Sequence, residues 1–125
     1  MAEKPTNLDI DQGTTFSVLA VWSNEDGSVK DISNYSARMQ IRSSYASNTV
    51  VESLTTANGE ITVSSNGQFT LVLSAERTAK IPVDYSSTSK PPKTQYVYDL
   101  EMIDPDQNVI RLMFGTINVI GEVTR

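Results

Sequence analysis

Neither cysteine nor histidine occurs anywhere in the 125 residues. The first absence rules out a disulfide framework, thiolate-bound zinc or iron–sulfur centres, and a cysteine nucleophile. The second removes the one side chain that titrates unperturbed between about pH 5 and 8. Imidazole metal ligation and Ser–His or Cys–His catalysis go with it. Basic charge is also sparse: 10 Lys and Arg stand against 15 Asp and Glu, for a net charge of -5. The basic residues are scattered singly from Lys4 to Arg125. Phosphate backbones and anionic lipid surfaces select clustered Lys and Arg, so neither nucleic acid nor a membrane is an expected partner. The longest apolar run, Val18 to Trp22, is five residues, where a bilayer span needs about 20. Met1 to Thr6 lacks the apolar stretch of a signal peptide. The expectation is a soluble chain made in a reducing cytoplasm, with one domain over 1–125 and no need of staples.

What is present is a period of two. Phe16, Val18, Ala20 and Trp22 fall on alternate positions, as do Ala37, Met39 and Ile41 with Arg38, Gln40 and Arg42 between them. Phe69, Leu71 and Leu73 repeat the pattern, followed by Tyr96, Tyr98, Leu100 and Met102 against Asp99 and Glu101, then Ile110, Leu112 and Phe114 around Arg111. Alternation of this kind puts one face of a strand inward and leaves the other to water or a partner.

Turn residues divide the runs. Glu25-Asp-Gly27, Asn58-Gly59 and Asn66-Gly67 accept positive φ, and Asp104-Pro-Asp-Gln-Asn108 has proline pre-set for a type I turn. Strands are predicted near 7–11, 14–23, 36–45, 49–55, 60–64, 68–74, 95–103, 109–114 and 116–122. Ser74 reads as an N-cap for one or two helical turns across 75–81, which return Ala75, Thr78 and Ile81 to the core before Pro82. A polar stretch, 82–95, has no periodicity. The fold class expected is all-β: eight or nine short strands with one short helix make a sandwich or a barrel, and of these an immunoglobulin-like Greek-key β-sandwich of about eight strands is the reading adopted.

Few residue groups point to chemistry. Asp9, Asp11 and Gly13 resemble part of a calcium loop, but a third oxygen ligand before the glycine is missing and Leu19 stands where the bidentate Glu belongs. A turn between strands is the simpler reading. Asp99 and Glu101 share a strand face at roughly 7 Å, a separation found in glycoside-cleaving carboxylate pairs. Outward acids alternating with an apolar face are also ordinary strand patterning. No catalytic residue, metal ligand or cofactor is therefore assigned. A carbohydrate-binding module is the competing class; it needs exposed aromatics on one face, whereas Trp22 and most other rings fall on inward phases. Asn34-Tyr-Ser36 matches a glycosylation sequon that has no secretion signal to make it meaningful.

Certain phrases, in order, point to a family. They are Asp11-Gln-Gly-Thr-Thr-Phe16, Lys30-Asp-Ile-Ser-Asn-Tyr35 leading into Ala37-Arg-Met-Gln-Ile-Arg42, and Asn66-Gly-Gln-Phe-Thr-Leu-Val-Leu-Ser-Ala-Glu-Arg-Thr-Ala79. Tyr98-Asp-Leu-Glu-Met102, Ile110-Arg-Leu-Met-Phe-Gly115 and Glu122-Val-Thr-Arg125 follow. Over about 10–124 the chain resembles small virion structural proteins of tailed bacteriophages. It is similar in layout to the N-terminal domain of upper baseplate proteins, which attach receptor-binding proteins to a phage tail. The resemblance implies a structural subunit in the tail, baseplate or fibre-attachment region, with capsid or neck decoration as the alternative. Its partners would be other virion proteins and further copies of itself on a symmetric particle. Baseplate proteins of that kind carry a helical or fibre-like extension after this domain, and the sequence stops at Arg125; a free-standing adaptor or surface-decorating subunit is therefore expected. Assembly contacts are expected in the long loop, at Tyr85, Pro91, Pro92 and Lys93, and in a flexible N-terminal arm, 1–7, at Lys4, Pro5 and Asn7.

Overall fold

Apolar–polar alternation resolves into eight strands and one short helix in the computed structural model, which describes residues 5–86, 88 and 90–124. In chain order they are β1 (Leu8–Asp11), β2 (Phe16–Val21), β3 (Ser36–Arg42), β4 (Glu52–Thr55), β5 (Ile61–Val63), β6 (Gln68–Leu73), α1 (Ala75–Ala79), β7 (Lys93–Ile103) and β8 (Val109–Ile120). Two sheets form, one of five strands in the order β1-β8-β7-β3-β4 and one of three in the order β2-β6-β5. The chain crosses between them after β1, β2, β4 and β6. Apart from the parallel β1–β8 pair, every pairing is antiparallel. This is the Greek-key arrangement of immunoglobulin-like sandwiches, with β4 added beside β3.

The inward phases anticipated from period two make the core. Met39, Ile41, Leu54, Leu71, Leu73, Tyr98, Leu100 and Met102 are all at most 2% exposed. Removing such side chains from water contributes roughly 1.5–3 kcal/mol each before conformational entropy is counted. Ile32, in the turn-rich connection between β2 and β3, is fully buried, and Tyr35 packs edge-on against Trp22 with ring centroids 5.7 Å apart. Together they close one end of the sandwich.

Two tyrosines near the start of β7 tie down chain far away in sequence. The Tyr96 hydroxyl donates to the Pro82 carbonyl, at the start of the long loop that precedes β7. The Tyr98 hydroxyl donates to the Thr6 carbonyl at 2.7 Å, and burial pushes its pKa up to about 12.

The helix is shorter than its predicted span. It covers Ala75–Ala79, with the Ser74 side chain accepting from the Arg77 N–H at 3.3 Å and Thr78 fully buried. The expected pair of strands around Gly115 is one strand, β8. Its irregularity lies nearer the hairpin, where the β7–β8 register shifts between Leu100 and Glu101 and leaves Leu112 as the extra residue. Gly115 serves close approach instead of a break: a Cβ there would stand 2.4 Å from the Thr6 carbonyl oxygen. The hairpin turn is as expected, with Asp104 Oδ1 accepting from the Asp106 and Asn108 N–H groups at 2.9 Å.

Candidate interaction surfaces

The outward phase of the five-stranded sheet is charged. Arg38, Gln40 and Arg42 of β3 stand in register with Glu101, Asp99 and Val97 of β7. With Tyr45 they line an open groove of about 440 Å³. Arg38 Nε donates to Glu101 Oε1 at 2.7 Å, while Arg42 reaches the Ser47 carbonyl at 2.6 Å and Gln40 Oε1 at 2.9 Å. On the far side the Arg111 guanidinium lies 4.3 Å from the Phe114 ring centre. Burial pushes the Asp99 carboxyl above its ordinary value, Glu101 adds to the rise, and Arg111, Arg38 and Arg42 oppose it. Asp99 and Glu101 therefore do share a face, but Glu101 is held in an ion pair and the groove is open.

The long loop is fastened at its base. Tyr85 donates through its hydroxyl to Gln12 Oε1 and to the Glu122 carbonyl, the latter at 3.3 Å. Gln12, only 7% exposed, donates through Nε2 to the Ile81 carbonyl at 2.8 Å. Pro92 accepts from the Gly121 N–H at 2.9 Å, and a Cβ on Gly121 would meet the Tyr85 ring at 2.9 Å. Pro91, which follows a cis peptide bond, and Lys93, the first residue of β7, are exposed. Lys4 lies outside the described residues. Pro5 and Asn7 are exposed. Thr6 and Asn7 are nevertheless held to the sheet: Thr6 N–H donates to Phe114 O at 2.8 Å, and Asn7 Oδ1 accepts from Thr116 N–H at 3.3 Å. The two groups of expected contacts do not form one patch. Tyr85 and Pro92 gather at Gly121, whereas Asn7, with Thr6 before it, sits by Gly115 and Thr116, about 20 Å away along β8.

Asp9 and Asp11 face outward on β1, Asp9 Oδ1 accepting from Asn118 Nδ2 at 3.5 Å. Among the described residues no group of three or more carboxylates converges on a metal-sized site.

A third surface escaped the sequence reading. Leu19 and Val21 of β2 are 63% and 58% exposed, and Val72 of the neighbouring β6 shares their face. The signal was available: in β2 both phases are uncharged and largely apolar, while β3 and β7 alternate with charge.

Fold and surfaces together define an immunoglobulin-like β-sandwich whose exposed features are a charged face, a fastened loop and an apolar sheet edge. No family model matches the chain, and no curated protein matches it.

Proposed function

We propose that the chain is a structural subunit of a tailed-phage virion, acting as an adaptor in the tail, baseplate or fibre-attachment region. It works by static protein–protein contacts, without turnover, cofactor, nucleic acid or membrane. The observation that carries the reading is where the resembling phrases fall. Asp31 caps the turn before Tyr35 by accepting from the Ser33 N–H at 2.9 Å. Thr78 accepts from the Gly13 N–H at 3.0 Å, tying the phrase from Asn66 to Ala79 to the phrase from Asp11 to Phe16. Tyr98 and Gly115 together seat Thr6. The phrases holding Gly13, Thr78, Tyr98 and Gly115 thus mark places where distant parts of the sandwich are held together. A family defined by such positions keeps a shape, as an assembly part requires.

The carbohydrate-binding alternative is less well supported. Phe16, Trp22, Phe69, Tyr96 and Tyr98 are buried, which leaves Tyr45 and Tyr85 as the strongly exposed rings. Deleting the gene and imaging the resulting particles by electron microscopy tests the proposal. Intact heads with missing or misassembled tail-tip structures are expected. Complete, infectious particles would refute it, and normal tails with fragile or undecorated heads would move the subunit to the capsid or neck.

A further inference from the structure

β2 is an edge strand, and its backbone pattern can be read residue by residue. Trp22 N–H donates to Gly67 O at 2.9 Å, so Trp22 and the residues in phase with it, Ala20, Val18 and Phe16, spend their backbone groups on β6. Val72 N–H goes the other way, to Glu60 at 2.9 Å, which confirms that alternate residues of β6 face β2. Ser17, Leu19 and Val21 therefore present their N–H and C=O groups to the open side. Their side chains cover the outer face of the same sheet, beside Gln68, Thr70 and Val72.

Edge strands in soluble proteins carry charge, proline or a bulge, or are very short. The other edges here do so. β1 bears Asp9 and Asp11, β4 bears Glu52, and β5 is three residues long with Glu60 just before it. β2 has six residues and none of these devices. The neighbouring outward residues of β6 are uncharged as well. In a chain of net charge -5, this is a face on which two copies can meet without bringing like charges together.

We infer that two copies of this chain pair β2 against β2 across a two-fold axis at Leu19, forming one continuous six-stranded sheet. The pattern is self-complementary. Antiparallel pairing about Leu19 sets Leu19 opposite Leu19 of the partner copy and Ser17 opposite its Val21, each a pair that exchanges two hydrogen bonds. The seam is small, so the dimer is weak, with dissociation in the micromolar range. This deepens the assembly reading by naming a surface and a symmetry.

The absence of cysteine makes the test clean. Hydrogen-bonded partners across such a seam have Cα atoms about 5.5 Å apart, within disulfide reach. Under mild oxidation Leu19→Cys is expected to cross-link into a dimer much faster than Val109→Cys, a comparably exposed site on the other sheet. Wild-type protein is expected to show a monomer–dimer equilibrium in sedimentation velocity across the micromolar range. Leu19→Lys, with an unchanged circular dichroism spectrum, is expected to remain monomeric. A wild-type monomer throughout, or equal cross-linking at the two sites, overturns the inference. A monomer that still enters particles would refute the seam and leave the assembly reading, and a dimer absent from particles would do the reverse.

Discussion

Thr78 is fully buried, and its hydroxyl joins three pieces of backbone: it donates to Thr14 O at 2.8 Å, lies 3.1 Å from Ala75 O, and accepts from Gly13 N–H at 3.0 Å. Thr78→Val keeps the shape and strands those groups, so unfolding in urea should show a loss of about 1–3 kcal/mol. Arg77 links Glu52 and Glu60, whose side chains are only 12% and 15% exposed, against 33% for the arginine. Hydrogen bonding to Glu52 first, then to Glu60, raises its pKa against the opposing effect of burial. Arg77→Ala leaves two poorly hydrated carboxylates facing each other. The expected cost is about 2 kcal/mol, between the values for exposed and buried pairs, again read from urea unfolding. Asp99 works in the opposite direction. Its folded pKa is raised by burial and by Glu101, so the folded state holds the proton more tightly than the unfolded chain does. Ionisation at neutral pH therefore costs stability, and protonation as the pH falls towards the ordinary value returns it. Asp99→Asn should raise the melting temperature at neutral pH and remove that gain between neutral pH and about pH 4.

Among the elements, β8 is the longest strand, pairing with β7 on one side and β1 on the other. Gly115 lets the chain before β1 lie against it, since a Cβ would press on Thr6 O. Gly115→Ala is expected to release that segment, and amide exchange at Thr6 and Thr116 should accelerate well before the rest of the sheet responds. The strands themselves were legible because period-two burial leaves a direct trace, as in β3 and β7. The Asp104 turn and the Ser74 cap were legible because the residue types carry the mechanism. Gly115 misled because glycine marks both breaks and close approaches, and which one applies depends on chain more than a hundred residues away. The anchoring of Tyr85 by Gln12 and Glu122 was hidden for the same reason: the partners are 73 and 37 residues distant. The open edge of β2 left a trace in its missing charge, but only strand order shows which side of a strand has no neighbour.

Across the whole sandwich, strand charge lies on the five-stranded sheet, while β2 and β6 of the other sheet carry none. Its acid response follows from four exposed aspartates. Asp26, Asp31 and Asp84 are held below the usual carboxylate value by the hydroxyl and backbone N–H of the serine two residues on, and Asp104 by the side chain and N–H of Asn108. Their contribution is complete above the ordinary value of 3.8 and fades as the pH falls through their lower folded values. Thermal melts should therefore show these four groups lowering stability as the pH falls below about 4, after Asp99 has taken up its proton. Whether the chain is a stoichiometric part of a particle, as proposed, can be read by quantitative mass spectrometry of gradient-purified virions from cells expressing its gene. The chain is expected to co-sediment with tail proteins at a fixed copy ratio that survives high-salt washing. A chain abundant in the lysate but absent from the particles would contradict it.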